Sequence, residues 1–290
     1  MKKNTTDIQR VEKSPPLPPR PKEGHKGLFG RVLVVGGSDQ MIGAPVLAGT
    51  AALRLGSGLV QIALPQRVLA TALSVTPELT GLGLTPSSGG ALMEAANKAD
   101  AIVLGPGLGQ SPAAIKRVGK LIKLDKPMVI DADALNIMAA GKKWPKDMKA
   151  SAVLTPHPGE MKRLIRLLGK SEVPSDEEGR IGIATQAARA FGVVLVLKGE
   201  RTVVADGQRV YVNNTGDSSL SKGGSGDVLS GMLGCLLGLK LDRFDAACTA
   251  VHLHGRAGEI AGEHLGRRSV LSRDVINAIP AAIKEFEGRR

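Results

Sequence analysis

The sequence predicts an α/β protein in which a mostly parallel central sheet carries helices on both faces. Three observations lead there. Short runs rich in Val, Ile and Leu alternate with stretches of helical spacing along most of the chain, as strand–helix–strand crossovers require. With 290 residues, 42% of them hydrophobic, the chain can bury a large core as one domain, or at most two. Glycines and aspartates then cluster directly after the apolar runs, at the strand ends where open α/β sheets place their ligands.

Taken in order, residues 1–26 hold Pro15, Pro16, Pro18, Pro19 and Pro21 among charges, a composition that predicts an extended or disordered lead with no packed core. A single folded domain, residues 27–290, is expected to follow. Its first strand, Arg31 to Val35, ends in the turn Gly36-Gly37-Ser38, and Ala44 to Leu55 is a helix packed behind it. Leu59 to Leu64 is a strand, Arg67 to Leu73 and Ala91 to Lys98 are helices, and Ala101 to Leu104 is a strand ending in Gly105-Pro106-Gly107-Leu108-Gly109. After a helix from Pro112 to Ile122, strands Pro127 to Ile130 and Ala152 to Leu154 end at Asp131-Ala132-Asp133 and Thr155-Pro156-His157. Helices Met161 to Leu168 and Glu177 to Phe191 lead into strand Val193 to Leu197 and a hairpin of Thr202 to Ala205 with Arg209 to Val212. Three helical segments close the chain: Val228 to Leu239, Asp245 to Ala261 and Asp274 to Glu287.

Composition excludes several functions. No run approaches the ~18 uninterrupted apolar residues of a membrane span, and the basic N-terminus lacks a signal peptide's apolar centre, so a cytoplasmic protein is expected. Cys235 and Cys248 lie in apolar helical patterns and are expected as buried thiols. The net charge is +12, but residues 1–26 supply +4 of it and the other +8 is dispersed over 264 residues. With four Phe, one Tyr and one Trp there is little for bases to stack on, so the basic surface suits an anionic small molecule better than nucleic acid.

The stretch that points to chemistry is Lys222-Gly223-Gly224-Ser225-Gly226-Asp227. Three glycines in four positions serve neither helix nor strand, so the backbone there takes positive φ or approaches something closely. Val228, Leu229, Met232, Leu233, Leu236 and Leu237 follow at helical spacing, which puts the loop at a helix N-terminus, where free N–H groups gather anionic oxygens. Asp227 in that turn is either a cap or a general base; the loop by itself leaves these even. His252 and His254, two apart on a helix, point in different directions and suit packing or a nucleotide-side contact better than a metal pair.

Seven ordered segments carry a resemblance. Gly36-Gly37-Ser38 with Gly43-Ala44-Pro45, Ala51 to Arg54, Gly105 to Gly109, Asp131 to Asn136, Leu154 to Glu160, Leu197-Lys198-Gly199 and Gly223 to Gly231 resemble the NAD(P)H-hydrate dehydratases in order and spacing, over roughly residues 27–285. The resemblance implies a ribokinase-like three-layer fold with a carbohydrate-kinase-like domain. It implies repair of hydrated NADH and NADPH, with ADP more expected than ATP as co-substrate and Mg2+ on the nucleotide phosphates through water, without a protein metal cage. By resemblance Asp227 is the catalytic base, and Ala44, Gly107, Gly109, His157 and Asp227 contact the substrate. Lys198, Gly199, Glu200, Arg201 and Thr202 with Gly224, Ser225 and Gly226 would hold the nucleotide. A homo-oligomer is expected, as is a separate NAD(P)H-hydrate epimerase working on the same pool, since the first 26 residues are too short to hold one.

The chain departs from the family at Met41, where an aromatic residue is usual, and at Leu220-Ser221-Lys222, where a Met-Ala-Thr run is usual. Without the resemblance, Lys198 to Thr202 reads as a solvated turn and His157 as a rigid turn residue between prolines. Asp131 and Asp133 read as helix caps, a role that ranks for Asp133 above any catalytic one. The competing functions are a thiazole- or pyridoxal-type small-molecule kinase, which shares the fold and Asp227, and a non-catalytic nucleotide-binding module.

Overall fold

A strand covered on both faces cannot alternate polar and apolar residues, and the central strands do not. In the computed structural model, which describes residues 8–141 and 144–288, Val32 to Val35 are at most 1% exposed. The elements in chain order are β1 (Gln9–Val11), β2 (Arg31–Val35), α1 (Gly43–Leu55), β3 (Leu59–Pro65), α2 (Gln66–Val75), β4 (Thr80–Leu84), α3 (Gly89–Lys98) and β5 (Ala101–Leu104). Next come α4 (Pro112–Leu121), β6 (Pro127–Ile130), α5 (Ala132–Ala140), α6 (Trp144–Asp147), β7 (Ser151–Leu154), α7 (Pro158–Leu164) and α8 (Glu177–Phe191). The chain closes with β8 (Val194–Leu197), β9 (Val203–Ala205), β10 (Arg209–Val212), α9 (Ser225–Gly238), α10 (Arg243–Leu265) and α11 (Ser272–Gly288).

The strands form one sheet in the order β1-β10-β9-β8-β7-β6-β5-β2-β3-β4, parallel throughout except that β9 runs against both neighbours. One buried cluster joins α1, α9, α10 and α11 to one face, and a second joins α3, α4, α5, α7 and α8 to the other. The chain winds from β2 outward to β4, then returns to β5 and winds the other way to β8. Between β2 and β5 the direction of winding reverses, and a crevice opens there at the C-terminal strand ends.

Strand β4 and the short α6 have no counterpart among the expected elements; in β4, Gly81 and Gly83 interrupt the apolar pattern. A Cβ on Gly81 would stand 2.6 Å from Leu69 Cδ1 and one on Gly83 1.5 Å from Gln66 Oε1, so the glycines let α2 lie close against the edge strand. A second departure corrects the expected unpacked lead. Gln9–Val11 pairs in parallel with β10, Thr249 Oγ1 donates to Pro15 O at 2.8 Å, and Val11 and Leu17 pack against the core. Arg20 donates to Gly56 O at 2.8 Å and covers the Phe29 ring at 3.9 Å. Prolines supply no ladder donors but fit an extended segment laid along a surface, which composition does not distinguish from disorder. Residues 1–7 lie outside the described residues.

Candidate active site

The crevice is laced by backbone. Gly37 N–H donates to Pro106 O at 2.8 Å, joining the turn after β2 to the turn after β5. A Cβ on Gly36 would stand 2.2 Å from Pro106 O, so glycine is what permits that approach. Gly107, at φ 63°, sits against Met41 and Ala44, and Gly109 N–H donates to Asp133 Oδ2 at 2.8 Å. The expected substrate contacts Ala44, Gly107 and Gly109 therefore share one lip with half-exposed Met41.

Facing this lip is the first turn of α9. Gly224 is its N-cap at φ 91°, a left-handed conformation, and Ser272 Oγ holds Gly223 O at 2.9 Å. No side chain caps the helix, and the Ser225 N–H turns back to Lys222 O at 3.3 Å. Beneath the turn lies a polar cluster centred on Asp131, which is 2% exposed. Its Oδ1 accepts from Lys198 Nζ and from Ala132 N–H, each at 2.8 Å, and its Oδ2 accepts from Ser230 Oγ at 2.6 Å. Lys198 stands at the end of β8, with its N–H on Pro156 O at 2.9 Å. The cluster thus ties the ends of β6, β7 and β8 to α9, and a buried pair of this kind is costly to break from one side, about 3–5 kcal/mol.

Burial and the charge of Asp131, with Asp133 adding, push the Asp227 carboxyl up to about 7, against the opposing pull of Lys198. Burial raises Glu160 as well, and Lys198 again opposes. His254 is buried, which drives it down to about 4, and its Nε2 lies 3.2 Å from Ser225 Oγ, so a neutral imidazole holds the loop serine. His157 and Glu160 cap α7 reciprocally: Gly159 N–H donates to His157 Nδ1 at 3.0 Å, and His157 N–H to Glu160 Oε2 at 2.9 Å. An accepting Nδ1 leaves the proton of the neutral ring on Nε2, and that side chain is 52% exposed.

Of the two aspartates expected as caps, Asp131 caps α5, while Asp133 reaches back to Gly109. Among the residues expected at the nucleotide, Lys198 turns inward, and Gly199 to Thr202 form an outer turn; Arg180 donates to the carbonyl of Glu200 in that turn and to those of Leu197 (3.2 Å) and Lys198 (3.4 Å) just before it. Arg201 pairs with Glu177, and Thr202 Oγ1 donates to Gly199 O at 3.0 Å. Sequence reasoning passed over Glu160, Ser230 and Arg180. Glu160 and Ser230 lay within quoted motifs, but nothing in the sequence separates Arg180 from ordinary helical residues. Lys222 is exposed, and His252 packs against Phe286 with ring centroids 5.4 Å apart.

Among the described residues no three His, Cys, Asp or Glu side chains are grouped closely enough to hold a metal ion, and no helix is long and apolar enough to cross a membrane.

A family model for NAD(P)H-hydrate dehydratase matches residues 32–281. The chain is 35% identical over 277 residues to the ADP-dependent (S)-NAD(P)H-hydrate dehydratase of Bacillus subtilis, covering 93% of this chain and 95% of that protein. It is 41% identical over 282 residues to a bifunctional NAD(P)H-hydrate repair enzyme of Moorella thermoacetica, covering 93% of this chain but 52% of that one. The chain thus spans about half the length of the bifunctional relatives it matches. Among solved structures, the B. subtilis ADP/ATP-dependent NAD(P)H-hydrate dehydratase co-crystallised with ATP and Mg2+ superposes with a TM-score of 0.79 at 33% identity, covering 93% and 94% of the two chains. The hydroxyethylthiazole kinase of Pyrococcus horikoshii, at TM-score 0.64 and 17% identity over 88% of this chain and 89% of that one, shares the ribokinase-like fold. With the family model matching residues 32–281 and a dehydratase relative at 35% identity covering 93% of it, the chain belongs to the NAD(P)H-hydrate dehydratase family.

Proposed function

We propose that this protein dehydrates hydrated NADH and NADPH to the parent dinucleotides, with ADP or ATP as phosphoryl donor. One observation carries the reading: a carboxylate raised to about 7 stands in the first turn of a helix that no side chain caps, the kind of N-terminus that receives an anion. Hydroxide is a poor leaving group. In the proposed reaction Asp227 takes the proton of the substrate's ring hydroxyl, and that oxygen attacks the terminal phosphorus of the nucleotide. The N–H groups of Gly224, Ser225 and Gly226 hold the phosphoryl oxygens as charge develops. The bond broken is the one from that phosphorus to the nucleotide, so AMP leaves if ADP is the donor and ADP if ATP is; phosphate then departs from the ring carbon in place of hydroxide while the neighbouring ring carbon gives up a proton, and the ring double bond re-forms.

Ala44, Gly107, Gly109 and the half-exposed ring of His157, whose Nε2 lies 3.5 Å from Glu160 Oε1, would frame the opposite side of the crevice, where the nicotinamide half would lie. The outer turn Gly199 to Thr202 would edge the nucleotide. Magnesium would sit on the nucleotide phosphates with water completing its shell, and when bound it would neutralise charge on the transferring group. The B. subtilis relative is named for the (S) form, so a separate epimerase acting on the same pool would replenish the substrate. Incubation with ADP or ATP and hydrated NADH should restore dihydronicotinamide absorbance. A stable phosphorylated product without water loss would instead mark a small-molecule kinase.

A further inference from the structure

Gly226 stands in the loop for a reason that its backbone does not supply. Gly224 needs its positive φ, but Gly226 has none, and an alanine would be unstrained there. What a side chain at 226 would meet is Lys198: a built Cβ stands 3.3 Å from Nζ and 3.9 Å from Asp131 Oδ2. The side chain of Lys198 is 20% exposed, and its ammonium is held 2.8 Å from Asp131 Oδ1. The missing side chain therefore opens a space directly beneath the turn that carries Asp227, and an ammonium group fills it.

We propose that Lys198 is a positioning residue rather than a nucleotide contact: clamped by Asp131 in the space left by Gly226, its charge offsets the carboxylates crowded around Asp227 and keeps Asp227 able to accept a proton. This rests on Asp227 being the base of the proposed reaction. The groups facing the pair come from every neighbouring element. Asp131 at the end of β6 and Asp133 in α5 press negative charge on Asp227, and Lys198 at the end of β8 opposes them. Glu160 of α7 also faces Lys198, with His157 and Arg163 beside it, and His254 of α10 closes the far side as a neutral ring. Asp131 has a further hold through Ser230, one turn along α9 from Asp227, so the ammonium and the base are fixed to one rigid frame.

The test titrates the Asp227 carboxyl by carbon NMR, assigned by its loss in Asp227→Asn, alongside the pH profile of kcat/KM and calorimetric affinity for ADP. Lys198→Met should move the Asp227 midpoint upward by about one pH unit or more, which is roughly a tenfold loss of ionised base well below the midpoint. It should cut kcat/KM at pH 7 correspondingly, with recovery toward pH 9 and an ADP affinity close to wild type. Lys198→Arg should restore most of the wild-type midpoint. If the Met variant fails to fold, Gly226→Ala, which crowds the ammonium without removing it, should shift the midpoint in the same direction by less. An unchanged midpoint in the folded variant, or a large loss of ADP affinity with the midpoint in place, overturns the proposal. The carboxyl titration needs no turnover, so a wild-type protein that fails to restore dihydronicotinamide would refute the reaction while the charge coupling is still decided.

Discussion

Asp227 is one carboxylate with two measurable consequences. As a base it works only when ionised, so kcat/KM should climb with pH through about 7 and level off above, and Asp227→Asn should fold normally yet lose nearly all turnover at every pH. The same raised value bears on stability with a defined sign. A carboxyl whose folded value lies above its unfolded one stabilises the fold below the unfolded value, and that stability is lost as pH rises through about 7. Thermal melts of wild type and Asp227→Asn should therefore converge near pH 4, with the asparagine variant melting higher at pH 8.5. Equal melting temperatures at both pH values would place Asp227 in an environment less buried than the structure gives it.

At the scale of elements, the site depends on how closely α9 lies on α1. A Cβ on Gly231 would stand 1.9 Å from Ala48 O, a clash with backbone that no rotamer relieves. Gly231→Ala should cost about 3 kcal/mol in chemical denaturation and loosen the turn that holds Asp227. The N-terminal segment is the second such element. Deleting residues 1–24 removes the β1 ladder, the Thr249 to Pro15 bond and the packing of Val11 and Leu17. A loss of about 2–3 kcal/mol is expected from those side chains, with activity retained at low temperature because the segment's contacts, with β10, Thr249 and Gly56, involve none of the residues placed in the crevice. An unchanged melting temperature would show that the segment is detached in solution.

For the molecule as a whole, a net charge of +12 and a site lined by helix N–H groups favour anionic ligands at long range. ADP affinity should fall as salt rises, and exposed Lys222, beside the glycine turn, should account for part of that slope. Calorimetric titration of Lys222→Thr at low and high salt should show a shallower salt dependence and an unchanged melting temperature.

The α/β alternation, most element boundaries and the crevice itself were legible because strand burial and helical periodicity are local and the glycine turns directly follow the apolar runs. Helix α8 runs from Glu177 to Phe191 as its spacing predicts, and Gly224 takes the positive φ that the glycine run demands. Asp227 was legible as a candidate because it shares a turn with those glycines. The tertiary structure decided which aspartate caps and which reaches back, since Asp131, Lys198 and Ser230 lie in different elements and meet only when β6, β8 and α9 converge. It also decided that β1 joins the sheet and that Lys198 points inward beneath Gly226, because ladder pairing and charge burial depend on neighbours brought from more than 60 residues away.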